Sequence, residues 1–203
     1  MYSTKTATTN NAEFVSSYMP VGINENVKLK DVEVLKSPQG KDYIKFTFAN
    51  NEGQTVSFTE WKNEKNMWIK TDEDLQNRDN QQFGRILQLV NCYYDVTPEF
   101  EGSSFAEMIN WVKLQLENGV KSNDKNLRLK VIYDKNGYTV VSNYGVFVEP
   151  MSVESTQIKL FKRDLLERPV VADSEPATDP LATPPMPGES TPVTSDNVDE
   201  LPF

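Results

Sequence analysis

The 203-residue chain contains no histidine and a single cysteine, and each shortage closes off a class of chemistry. Without imidazole there is no Ser-His-Asp or Cys-His arrangement, no imidazole metal site and no imidazole switch near neutral pH. Cys92 alone cannot close an intramolecular disulfide, and the opening residues MYSTKTATTNNAEF lack the basic region and apolar run of a secretory signal. The expected location is therefore reducing and cytoplasmic. No apolar stretch approaches the roughly 18 to 20 residues that cross a bilayer, so a soluble protein is expected. A Gly-rich phosphate loop is missing, as is a supported pair of catalytic carboxylates. Asp72, Glu73, Asp74 and Asp79 fit helix-dipole stabilisation better than the spacing of a calcium loop. No enzymatic activity, metal or cofactor is expected.

Positive charge is also scarce, but unevenly so. The formal net charge is −9, and from Pro169 to Phe203 there are 7 acidic residues, 8 of the 12 prolines and no Lys or Arg. Removing this segment leaves 21 basic against 23 acidic side chains, a net −2, so the body retains enough cations for a basic stripe. Pro, Ser, Thr and acids with few aromatics bury too little apolar surface to offset backbone ordering, and residues 169–203 are expected to form a disordered acidic tail. Its last residues, 196–203, differ. Asp199, Glu200, Leu201, Pro202 and Phe203 bring two acids, an apolar residue, a stiffened bond and an aromatic ring together at the tip. That composition suits docking: the ring fits an apolar pocket, a basic residue at its rim suits the terminal carboxylate, and the acids steer the approach.

In the body, residues 1–19 read as a polar arm that Phe14, Val15 and Tyr18 are placed to anchor. From Ile23 to Lys36 the apolar residues Val27 and Leu29 alternate in one parity and Val32 and Val34 in the other, which predicts a long strand with a β-bulge near Asp31. Turns at Ser37–Gly40 and Asn50–Gly53 separate it from two more alternating strands, one carrying Ile44, Phe46 and Phe48 and the next Val56 and Phe58. The period then changes. Thr71 caps a helix running to about Tyr94, and Ser104 with Glu107 forms a capping box for a second helix expected to stop at Gly119. Strands resume with Leu127, Leu129 and Val131, turn at Asn136-Gly137, and end with Tyr138–Val148, with a bend at Gly145. Residues 151–168 read as a short helix or linker through Ile158, Leu160, Phe161, Leu165 and Leu166.

Three strands, two helices over about 71–119, then two strands is the order of a five-stranded OB-fold, a Greek-key barrel occupying residues 20–150 here. The expected class is mainly β (α+β), and an α+β sheet with helices on one face is the other arrangement the order permits. If Ile44, Phe46, Phe48, Val56 and Phe58 point inward, Tyr43, Lys45, Thr47, Ser57, Thr59 and Trp61 share the outer face. The same alternation adds Lys28 and Lys30 from the first strand and Arg128 and Lys130 from the fourth, and Trp68 with Lys70 extends the row. Alternating lysines are usually a solvated face. Aromatics interleaved with cations over four strands instead suit single-stranded nucleic acid, whose bases stack on rings while phosphates pair with Lys and Arg. Trp111, Cys92, Tyr93 and Tyr94 read as packing residues.

Two features carry a resemblance. The ending Asp199-Glu200-Leu201-Pro202-Phe203, on its acidic Pro-rich linker, resembles the tip of bacterial single-stranded DNA-binding proteins. Gly22-Ile23-Asn24-Glu25-Asn26-Val27-Lys28-Leu29 and Val56-Ser57-Phe58-Thr59-Glu60-Trp61 look like the corresponding proteins of tailed bacteriophages. The resemblance implies a phage-encoded OB-fold that coats single-stranded DNA without sequence preference in replication, recombination or repair. It further implies a tip that recruits a polymerase, helicase, primase or recombinase; the charge split, −7 in the tail against −2 in the body, adds the expectation that the tail competes with DNA for the groove when DNA is absent. The two-helix insertion departs from the compact bacterial form, so the oligomeric state stays open, a homo-oligomer included. An RNA-binding OB protein, a replisome or recombination adaptor without its own groove, and a virion or structural β protein are the other readings.

Overall fold

A computed structural model describes residues 16–169. Phe14 and Val15 of the arm, and the acidic tail with its tip at Asp199–Phe203, lie outside them. The elements are β1 (Gly22–Lys36), β2 (Asp42–Ala49), β3 (Thr55–Trp61), α1 (Asp72–Asn91), α2 (Phe105–Ser122), β4 (Leu127–Tyr133), β5 (Thr139–Val141) and β6 (Val148–Pro150).

The strand order is β3-β2-β1-β4-β5, every pair antiparallel. β5 and β6 both pair with β4, opposite Val131–Tyr133 and Leu127–Leu129 respectively, so they act as one interrupted fifth strand. With β3 packed beside β5, the sheet curls into a nearly closed five-strand barrel, consistent with an OB-like fold. The fourth strand lies beside the first after a three-strand meander, which is the Greek-key step.

The inverted parity of β1 has its physical cause in a bulge. The β1–β2 register shifts between Leu29 and Asp31, leaving Lys30 as the extra residue, so Val27, Leu29 and Val32 all point inward. A second irregularity, between Asn24 and Val27, bends the same strand opposite β4 and uses Asn26 at φ 55°. β1 thereby turns from one half of the barrel to the other. Inside sit Ile44, Phe46, Phe48, Val56, Phe58 and Phe147, with Phe58 stacked on Phe46 at 5.6 Å.

Both helices begin where their caps predict, each with a reciprocal capping box: Thr71 with Asp74, and Ser104 with Glu107. Between the helices Phe83 packs edge-on against Phe100 and Trp111, which are themselves tilted against each other at 4.9 Å. Cys92 and Tyr93 are buried, and burial pushes the Cys92 thiol up to about 12. One expectation needs correcting. α2 does not stop at Gly119 but continues to Ser122, because this glycine serves packing: a Cβ there would lie 2.8 Å from the Tyr93 Cβ. Of the two readings of residues 151–168, short helix or linker, no helix is found: residues 155–168 run as an irregular strap over the outside of β4, where tertiary hydrogen bonds replace helical ones. Tyr133 N–H donates to Leu165 O at 2.8 Å, and Ile158 is buried. Tyr18 is mostly exposed, and the neighbouring Met19, fully buried, anchors the chain instead.

No helix among the described residues is long and apolar enough to cross a membrane.

Candidate nucleic-acid interface

The outer face of β2 and β3 is set by register. Tyr43 lies opposite Trp61, Lys45 opposite Thr59, and Thr47 opposite Ser57. The two aromatic rings stack at 4.3 Å with 26° between their planes, and Trp61 remains 44% exposed. A stacked pair on a rigid sheet, one side against protein and the other toward water, offers a flat π surface at low entropic cost. Thr47 and Thr59 flank it with hydroxyls.

β1 completes this face, and it contributes acids that the alternation of lysines had hidden. Leu35, Glu33 and Asp31 lie opposite Tyr43, Lys45 and Thr47. Lys45 is 3.9 Å from Glu33, both partly exposed. Lys28 pairs with Asp124 after α2. Lys30, at the bulge, is exposed. Once the phase slip is applied, Glu33 and Asp31 fall on the outside by the same rule that places Lys45 there; Asp124, distant in sequence, gives no such signal.

Arg128 and Lys130, predicted on the same face, behave differently. The Arg128 guanidinium is held between Glu149 (3.1 Å) and Glu25 (3.2 Å), which raise its pKa. Burial alone would raise the Glu149 carboxyl, but hydrogen bonds from Thr156, the Gln157 N–H and Arg128 outweigh it and hold that carboxyl below its ordinary value. Lys130 is not on an exposed face at all. Its side chain is 0% exposed, and Nζ donates to Tyr144 O (2.8 Å), Lys159 O (3.1 Å) and Asp164 Oδ2 (3.1 Å). Asp164 in turn accepts the Phe161 N–H at 2.7 Å and the Ser142 hydroxyl at 3.3 Å. The strap covers what alternation predicts as solvent. A Cβ at Gly145, which sits at φ +66°, would meet the Phe161 ring at 2.8 Å, so this glycine admits the strap as well as the bend.

Trp68 lies on the loop between β3 and α1 and is 83% exposed. The far end of β3 is tied to α1 by a polar network the sequence did not announce. Buried Glu60 takes Arg85 Nε at 2.9 Å and NH2 at 2.8 Å on one oxygen, and Gln82 Nε2 at 2.7 Å on the other. Gln82 also donates to Trp61 O at 2.8 Å, fixing the backbone beneath the Tyr43–Trp61 stack. Among the described residues no group of three or more Cys, Asp or Glu side chains is placed to hold a metal ion.

Compared with known proteins, the chain matches no family model, and no curated protein matches it.

Proposed function

We propose that the protein is a non-enzymatic, phage-type single-stranded DNA-binding protein of the host cytoplasm, built on an OB-fold Greek-key barrel. It coats single strands without sequence preference. The observation that carries the reading is the outward, half-exposed Tyr43–Trp61 stack beside Lys45 and two threonines on the β2–β3 face. Bases stack on the pair and phosphates take up Lys45, Lys30 and Lys28, with Arg128 at the margin. Lys45 and Lys28 then exchange carboxylate partners for phosphate, which costs little because both pairs are partly exposed. Lys130 plays no part in this contact. The tip Asp199–Phe203 recruits a replication or repair enzyme, a reading that rests on its composition.

A second reading, an adaptor that lacks its own groove, draws support from the ion pairing of Lys28 and Arg128 and the burial of Lys130. Titration with oligo-dT at two salt concentrations, followed by tryptophan emission, separates them. DNA coating predicts quenching that weakens with salt, with a log-log slope of about −0.7 per phosphate contacted, and that is reduced in Trp61→Phe. Unchanged emission and no binding at low salt, in a chain truncated after residue 168, favours the adaptor.

A further inference from the structure

The two-helix insertion and the strap carry excess charge of opposite sign. Residues 72–122 hold nine acidic side chains against four basic ones, a net −5. The strap, residues 155–168, exposes Lys159, Lys162, Arg163 and Arg168 against a single exposed acid, Glu167. Its other carboxylate, Asp164, is buried on Lys130, the one ion pair that a strap side chain makes among the described residues. An insertion of this sign repels a nucleic-acid strand, so the helices do not extend the β2–β3 face.

Apolar surface accompanies the charge in both places. On the strap, Leu160, Phe161, Leu165 and Leu166 are 37% to 45% exposed within seven residues. They are held there rather than free to fold away: Tyr133 N–H binds Leu165 O, and the Arg163 guanidinium lies 3.9 Å from the centre of the Tyr144 ring and 5.5 Å from that of Phe161. On the insertion, Phe83, Phe100, Phe105 and Met108 line a cavity of about 240 Å³ between the first halves of α1 and α2, with Asp79 on its wall and no Lys or Arg. Asp79 spends Oδ1 on the Asn63 amide at 2.9 Å and keeps Oδ2 for another partner. Glu99 and Glu101, both exposed, flank Phe100 on the connection between the helices, and Val96 of the same connection is 82% exposed.

Each surface is the complement of the other in charge, and both offer apolar side chains. Two straps, or two insertions, would meet with like charges face to face, which opposes pairing of like with like. An outside partner would have to match one surface alone, whereas a second copy of the chain brings the match for both. We propose that the strap of one copy docks on the acidic cleft between α1 and α2 of a second copy. Leucines of the strap seat among Phe83, Phe100 and Phe105, and the strap's cations face Asp79, Glu99 and Glu101. Because the joined surfaces are unlike, each copy added leaves one of each kind for the next unless a ring closes. The contact needs no DNA and is independent of the single-strand reading.

Sedimentation equilibrium of the full chain without DNA tests it. The wild type should self-associate at low ionic strength and dissociate as salt is raised. K159E/K162E on the strap and E99K/E101K on the insertion, all at exposed positions, should each weaken self-association by roughly 10-fold or more and keep the wild-type melting temperature. L166S should weaken it from the apolar side without a change of charge. Each charge variant retains one intact surface, so mixing the two should restore association. A wild-type chain that stays monomeric at low salt overturns the proposal. An E99K/E101K chain that still associates also overturns it, since the strap would then meet another strap or the acidic residues of 169–203. A mixture that stays monomeric while both variants melt as wild type does the same.

Discussion

The outer faces of β2 and β4 begin with the same sequence pattern and end in opposite states. Both strands alternate apolar residues with basic ones, Ile44-Lys45-Phe46 in one and Leu129-Lys130-Val131 in the other. In β2 the outward side chains stay at the surface beside a stacked aromatic pair, while in β4 the strap closes over Lys130 and secures it to Asp164. Alternation fixes which residues share a face. Whether that face meets water or another segment depends on chain arriving from far along the sequence, here more than thirty positions away.

The largest expected effect breaks this contrast on the β4 side. Asp164→Ala leaves a buried ammonium without its counter-charge and should cost about 3 to 5 kcal/mol in urea or thermal unfolding. Replacing both partners, Lys130→Met with Asp164→Leu, should recover most of that loss, because no unpaired charge then remains. Near-wild-type stability in the single variant would mean that the strap does not seal the β4 face.

On the β2–β3 side, the expected change is in binding rather than in folding. Tyr43→Ala and Trp61→Ala should each weaken oligo-dT binding by about 1 to 3 kcal/mol, roughly 5- to 150-fold, with far smaller shifts in melting temperature. Equal losses of stability and affinity would show that the stack is merely structural.

Acid offers a graded test of how the strap is held. The Glu149 carboxyl has a pKa below its ordinary value in the folded state, so its contribution is complete above the unfolded-state pKa, near 4.3, and is lost as pH falls through the lower folded value. Glu149→Gln should flatten the acid limb of the stability profile below about pH 4.5, leaving the neutral region with only a constant offset. A limb identical to wild type would remove Glu149 from the account.

The smallest effect belongs to Lys45. Its ion pair with Glu33 is long and partly exposed, so Lys45→Ala should change stability by less than about 1 kcal/mol while reducing the salt dependence of DNA binding by about 0.7 in log-log slope.

Much of the fold was legible because its signals are local. The opposed parities of Val27-Leu29 and Val32-Val34 announced the bulge, and Thr71 and Ser104 with acids three residues on announced both helix starts. The strap's sequence leaves helix and linker both open, and the outcome has an equally physical reason. Ile158, Phe161 and Leu165 carry helix-like spacing, but Asp164 spends itself on Lys130 and the backbone of Leu165 on Tyr133, so tertiary bonds override the periodicity. In the candidate site, Tyr43, Lys45 and Trp61 were readable from register alone. The carboxylates that neutralise Lys28, Lys130 and Arg128 lie up to 103 positions away in sequence, and distant pairings leave no local trace.

The most direct test of the central claim is a residue-by-residue map of amide shift perturbation on adding oligo-dT. Binding through the exposed aromatic face predicts large changes at Tyr43–Thr47 and Thr59–Trp61 and in the Trp61 indole N–H, with Lys130, Ser142 and Asp164 unmoved. Perturbation centred on β4 and the strap, with β2 and β3 silent, would contradict it.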